Sequence, residues 1–94
     1  MNTTIEMVQF GRTLTDRTYG KRAAETILRR YKIPVSLDFK GVISLGSSFG
    51  DEIIAAIGSE QQNRIPVRNT NGAVRACLEK VALDSNVSLE FSDA

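Results

Sequence analysis

The sequence predicts a single α/β domain over residues 1–94, with a mostly parallel sheet of about four strands and about three helices. In some segments apolar residues alternate with polar ones, and in others they recur with the spacing of a helix. The two kinds of segment follow each other in turn, which is typical of strand–helix–strand crossovers and a parallel sheet. A length of 94 residues is enough for one modest core.

The first strand is predicted over residues 3–10, where Ile5 and Met7 lie on one side of an alternating pattern. Thr15 is the expected N-cap of the first helix, because its hydroxyl can accept from amides of the first turn. This helix is expected to run to about Tyr31, since its apolar positions recur about every 3.6 residues.

The central part of the chain predicts a strand, a short apolar segment and a helix. Residues 35–40 alternate and predict the second strand, and residues 42–45 form an apolar segment after a turn. The second helix is predicted over residues 48–57. Gly58 is its expected C-cap, because glycine readily adopts the left-handed conformation that ends many helices.

The last third of the chain predicts two strands around a helix. Residues 65–69 and 87–91 are the expected strands, and residues 69–72 form a turn before the helix. The helix has an apolar face with the spacing i, i+3, i+4, i+7: Val74, Cys77, Leu78 and Val81. The order of the strands in the sheet is left open by the sequence.

Composition excludes several classes of function. The net charge of +1 gives no overall field for binding nucleic acid or a membrane surface. No apolar run approaches the 18–20 or so residues of a membrane span, so a cytoplasmic location is expected. The chain has one cysteine and no histidine, which argues against zinc sites and against histidine-activated nucleophiles. No metal, cofactor or catalytic residue is therefore expected.

The most informative segment is the pair of serines before the second helix. Gly46, Ser47 and Ser48 follow the short apolar segment and are expected beyond the carboxyl end of a strand. Ligands of open α/β sheets often bind at such positions. Ser48 and Asp51 have the spacing of a capping box, which leaves the Ser47 hydroxyl free. Unpaired amides and the positive helix end would favour a phosphate here, bound or covalently attached. Asp51 and Glu52 would repel it, and capping alone also explains two serines at this position.

Asp38 is a supporting residue in the same part of the chain. An unpaired buried carboxylate is costly, so Asp38 is expected near a strand end or in a hydrogen bond that holds the following turn. Asp51 and Glu52 are consecutive on a helix and point about 100° apart, which argues against a shared metal ion.

Short segments of the chain resemble the STAS family, the fold of anti-sigma-factor antagonists. The residues concerned are LDF at 37–39, GV at 41–42 and GSSFGDE at 46–52, with LTDR at 14–17 before the first helix. The likeness is greater to the compact STAS-like group whose function is not characterised. It implies a single small STAS-like domain.

The resemblance also implies a regulatory role without catalysis. In the antagonists, the first hydroxyl residue of the motif is phosphorylated by a partner of the histidine-kinase-like ATPase type, and phosphorylation releases that partner. By position, Ser47 is the phosphoacceptor and Ser48 the residue that follows it. Gly46 stands where the motif has an aspartate, and Phe49 stands where it has a glycine.

The leading hypothesis is thus a protein–protein interaction module, with an anti-sigma-factor-type kinase or related ATPase as the partner. Glu52 and Ala55 are expected to flank the contact, while Phe49 and Ile53 pack inward. The alternative is a nucleotide- or anion-binding module that uses the same helix N-terminus, with two candidate cations, Arg17 and Arg68. An enzyme is the least favoured hypothesis, and the oligomeric state is left open.

Overall fold

A computed structural model of the chain describes residues 3–92. Over this range the chain forms six strands and three α-helices, with a short 3-10 helix, Met7–Phe10, after the first strand. The strands are β1 (Thr3–Glu6), β2 (Thr13–Leu14), β3 (Val35–Asp38), β4 (Ser44–Leu45), β5 (Arg64–Arg68) and β6 (Ser88–Ser92). The helices are α1 (Arg17–Arg30), α2 (Ser47–Glu60) and α3 (Gly72–Ser85).

The main sheet has four parallel strands in the order β1-β3-β5-β6, which confirms the predicted fold class. Each crossover joins neighbouring strands and steps in the same direction across the sheet. Because such crossovers are almost always right-handed, all three helices lie on one face of the sheet. On that face α2 packs between α1 and α3. No helix within residues 3–92 covers the other face of the sheet.

The core lies between the sheet and the three helices, and α2 contributes most to it. Its buried side chains include Phe49, Ile53, Ile54 and Ile57. Gly20 of α1 lets the two helices approach closely, since a Cβ there would lie 2.9 Å from the Cα atom of Phe49. The α1–α2 contact therefore depends on backbone proximity as well as on side-chain packing.

A second, two-stranded parallel sheet joins β2 to β4 and was not predicted. The predicted strand over residues 3–10 is too long, because the chain turns into the 3-10 helix after Glu6. Buried Met7 continues the apolar alternation through this change, so the pattern does not reveal it. No helix within residues 3–92 is long and apolar enough to cross a membrane.

Two predicted helix ends are also wrong. Asp16, not Thr15, is the N-cap of α1, and its carboxylate accepts a hydrogen bond from the Tyr19 amide at 2.7 Å. Gly58 lies inside α2, which continues to Glu60. A Cβ at position 58 would lie 2.8 Å from the Val87 Cγ2 atom, so this glycine makes room for Val87 and does not end the helix.

Candidate functional site

The predicted site lies at the N-terminal end of α2, and residues 46–53 are called the α2 corner here. The small β2–β4 sheet positions it, because α1 and α2 begin directly after these two paired strands. The Gly46 amide donates a hydrogen bond to the Leu14 carbonyl at 2.8 Å. The start of α2 is thus held beside the start of α1.

The N-cap of α2 is Gly46, and the prediction that Ser48 fills this position is wrong. Ser47 and Ser48 are the first two helical residues, so the Ser48–Asp51 capping box does not form. No side chain within the described chain caps this helix. The first-turn amides have no acceptor inside the helix, and they carry its positive end. The sequence predicts that an anion is favoured near Gly46. In the structure, this preference comes from the backbone N–H groups of the first turn alone.

The two serines differ in accessibility. Ser47 is exposed, whereas Ser48 is half-buried. The exposed hydroxyl is therefore the one that the sequence motif marks as the phosphoacceptor.

Arg17 links α1 to the acidic residues of the α2 corner. Its Nη1 atom donates to Glu52 Oε2 at 2.9 Å, and its Nη2 atom donates to Asp51 Oδ2 at 3.2 Å. The hydrogen bond to Glu52, followed by that to Asp51, raises the pKa of the Arg17 guanidinium above its ordinary value. The two carboxylates are thus partly compensated, and they repel a phosphate on Ser47 less than the sequence alone suggests.

The inward and outward sides of α2 are those expected from its apolar spacing. Phe49 and Ile53 are buried. The centroid of the Phe49 ring lies 5.8 Å from the centroid of the Tyr19 ring of α1. Glu52 is partly exposed and Ala55 is exposed. Ser48, Glu52 and Ala55 follow each other at spacings of four and three residues, so they lie along one outward side of the helix.

Ile43 is an exposed residue of the short apolar segment that the sequence predicts from Val42, Ile43 and Leu45. Its side chain is 60% exposed, while Val42 and Leu45 are buried. The Ile43 amide donates to the Arg12 carbonyl at 2.8 Å, and Asn71 Nδ2 donates to the Ile43 carbonyl at 3.0 Å. The backbone is therefore fixed on both sides. The chain is irregular here until β4 begins, so alternation could not have identified Ile43.

Asp38 ends β3, and it is half-buried and hydrogen-bonded, as expected. Its Oδ1 atom accepts from the Lys40 amide at 2.9 Å and from Asn69 Nδ2 at 3.0 Å. These bonds join the end of β3 to the segment after β5. Asp38 therefore supports the loops at this end of the sheet.

The two arginines of the alternative hypothesis do not come together. Arg17 is bound to Asp51 and Glu52 at the α2 corner. Arg68 alternates with buried Val67 along β5, so it lies on the face of the sheet opposite the helices. Within residues 3–92 no group of three or more acidic or cysteine side chains could hold a metal ion.

Comparison of the chain with protein-family models, curated proteins and solved structures gave no match.

Proposed function

We propose that the protein is a non-catalytic regulatory module of the STAS-like type, which presents the α2 corner to a protein partner and is switched by phosphorylation of Ser47. The observation that carries this proposal is the position of Ser47. It is exposed and is the first residue of α2, a helix end without a side-chain cap within the described chain. The resemblance of residues 46–52 to the antagonist motif supports the same serine.

The glycine at position 46 has a structural explanation that is compatible with this proposal. A Cβ at Gly46 would lie 3.1 Å from the Thr15 Cα atom and 3.2 Å from its Cβ atom. An aspartate, the residue of the family motif, would therefore require Thr15 to move. The glycine reflects the close approach of the segment before α1, and the phosphoacceptor position itself is unaffected.

The proposed contact surface combines an apolar anchor with polar surroundings. Ile43 is exposed four residues before Ser47, and Glu52 and Ala55 lie further along α2. An extended chain of four residues spans at most about 14 Å, so Ile43 and Ser47 fit within one interface. Apolar anchors surrounded by polar groups are common in protein–protein contacts. A histidine-kinase-like ATPase is the partner class that the resemblance implies.

A phosphate on Ser47 would change the charge of this surface. It adds about −1.5 to −2 charges at neutral pH. Ser47 and Asp51 are four residues apart, so they lie on the same side of α2. Arg17 already binds Asp51 and Glu52, and it compensates the new charge only in part. A partner that binds the neutral surface would therefore bind the phosphorylated surface less tightly.

The test compares Ser47→Asp with Ser47→Ala in affinity capture from cells of the source organism, with quantitative mass spectrometry of the captured proteins. Ser59→Asp is the matched control, because Ser59 is exposed near the other end of the same helix. We expect an ATPase of the histidine-kinase type to be captured by Ser47→Ala and Ser59→Asp but to be depleted with Ser47→Asp. Circular dichroism should show the same fold in all three proteins.

Equal recovery of the same partner with Ser47→Asp and Ser47→Ala would show that the serine has only a structural role. Equal depletion with Ser47→Asp and Ser59→Asp would show a general effect of charge on α2. Either result would contradict the proposed switch.

A further inference from the structure

The face of the main sheet opposite the helices carries small and charged residues. It is formed by alternate residues of the four strands: Thr4, Glu6, Ser36, Asp38, Arg64, Pro66, Arg68, Ser88, Glu90 and Ser92. Among these, Ser36 is the most buried, at 8% exposure. Its burial indicates that neighbouring side chains enclose part of this face.

A cavity of about 240 Å³ lies on this face, towards the carboxyl ends of the strands. Ser36, Pro66, Arg68 and Ser92 line it, with Val67 at its base. The Ser36 hydroxyl lies 3.2 Å from the Thr4 hydroxyl, so its position is fixed by the neighbouring strand. The cavity thus combines one guanidinium with two hydroxyl groups.

The guanidinium of Arg68 is the feature that points to a ligand. Its Nε atom is buried and has no hydrogen-bond partner among the described residues. Buried donors are rarely left unpaired, because their desolvation is not offset by a new bond. Asp38 is the register neighbour of Arg68 on β3, yet they form no ion pair within the part of the chain that the structure describes.

Among the residues that the structure describes, the Asp38 carboxylate forms its hydrogen bonds with the nearby loops and not with Arg68. Asp38 Oδ1 already accepts from the Lys40 amide and from Asn69 Nδ2. Arg64, on the same strand and face as Arg68, provides the contrast, since its Nη2 atom donates to Glu90 Oε2 at 2.6 Å. The two arginines therefore differ in whether a carboxylate of the described residues binds them.

We propose that this cavity binds a small carboxylate through Arg68, with the Ser36 and Ser92 hydroxyls as further donors. The donors of a guanidinium match the two oxygens of a carboxylate in spacing and direction. A monoanion fits better than a dianion, because Asp38 and Glu6 lie on the same face and contribute negative charge. The site is independent of Ser47, which lies at the start of α2 on the side of the helices.

The test is a titration of the full chain with sodium acetate. Binding is monitored through the backbone amide and Arg Nε–H signals in NMR spectra. Sodium chloride keeps the ionic strength constant at about 0.1 M. We expect saturable shifts at Ser36, Arg68 and Ser92. Arg68→Gln should weaken binding by at least about tenfold, since it removes charge-assisted hydrogen bonds.

Arg64→Gln is the matched control, because it removes the same charge from the same strand and face. It should leave acetate binding within about twofold of the parent protein, because Arg64 is occupied by Glu90. Equal weakening in both variants would overturn the proposal, as would shifts that do not saturate. Shifts confined to Ser47 and Ser48 would instead place the anion at the α2 corner.

Inorganic phosphate at pH 7.5 is the second probe, because it is largely a dianion there. We expect it to bind more weakly than acetate at the same ionic strength. Tighter binding of phosphate at Arg68 would contradict the assignment of a monoanionic carboxylate. None of these outcomes depends on a protein partner, so they are separate from the test of Ser47.

Discussion

The α2 corner and the sheet face opposite the helices each place an arginine beside at least one carboxylate, but only the arginine of the α2 corner forms ion pairs among the described residues. Arg17 binds both Asp51 and Glu52, with distances of 3.2 Å and 2.9 Å. Arg68 lies beside Asp38 in the register of the sheet, yet its buried Nε atom has no partner in the described chain. Asp38 accepts instead from two donors of the neighbouring loops, the Lys40 amide and Asn69 Nδ2.

This comparison shows that charge alone does not indicate which arginine is available to a ligand. The α2 corner holds an exposed serine on a well-packed helix, and its charged side chains are bound to one another. We therefore propose it as a surface for modification and protein contact. The sheet face carries one buried donor without a partner among the described residues, so we propose it as the ligand site.

The substitution with the largest expected effect on stability is Gly20→Ala, which tests whether α1 holds the α2 corner in place. Gly20→Ala would place a Cβ 2.9 Å from the Phe49 Cα atom and 3.0 Å from the Phe49 carbonyl oxygen. Because backbone atoms cannot yield easily, we expect a loss of about 1–3 kcal/mol in the free energy of unfolding. Urea denaturation measures it. The matched control is Gly72→Ala, since a Cβ at Gly72 meets no atom within 4 Å.

The control is expected to change stability by no more than about 0.5 kcal/mol. If Gly20→Ala were as stable as Gly72→Ala, the close contact between α1 and α2 would not support the corner. The conclusion that the α2 corner is firmly packed against α1 would then fail.

A smaller effect on stability is expected when either arginine is replaced, and its salt dependence should differ between Arg17 and Arg68. Arg17→Gln leaves Asp51 and Glu52 without their shared cation, so we expect a modest loss of stability at low salt that shrinks as salt screens the charges. Arg68→Gln breaks no ion pair within the described residues and is expected to show little salt dependence of this kind. Urea denaturation at low and high sodium chloride measures both. An equal salt dependence of stability for the two variants would contradict the conclusion that Arg17, but not Arg68, forms ion pairs among the described residues.

The smallest expected effect on stability comes from the titration of the Cys77 thiol in α3. Burial, and then the charge of Asp51, raise the pKa of its thiol above the ordinary value of 9.0. The folded state therefore holds the thiol proton more tightly than the unfolded state. The resulting stabilisation is complete below about pH 9 and is lost as the pH rises through the higher folded pKa.

This pH dependence can be isolated by comparing the parent protein with Cys77→Ala. Between pH 8 and 10, the free energy of unfolding of the parent protein should fall more steeply than that of the variant, which lacks the thiol. Identical slopes would show that burial does not shift the Cys77 titration.

The sequence predicted the main elements because their signals are local. The helical spacing in α2 identified Phe49 and Ile53 as core residues, and the alternation of strands and helices indicated the parallel sheet. Helix ends were less predictable. The N-cap at Gly46 depends on how closely the chain passes Thr15, and the glycine at position 58 depends on Val87. Both causes are contacts between residues far apart in sequence.

The candidate site was predicted only in part for the same reason. The serine motif identified Ser47, but the exposure of Ile43 depends on the backbone bonds that hold it in place. The pairing of Arg17 with α2 joins residues more than thirty positions apart. Arg68 Nε has no partner among the described residues, and this depends on contacts between strands that no spacing in the sequence indicates.

The most direct test of the central claim measures binding of the captured partner to the chain carrying phosphoserine at position 47. The same chain with phosphoserine at position 59 is the reference, and isothermal titration calorimetry gives both affinities. The account predicts that phosphoserine 47 weakens binding by at least about tenfold, whereas phosphoserine 59 changes it by less than about twofold. Equal affinities of these two proteins would contradict the proposed switch.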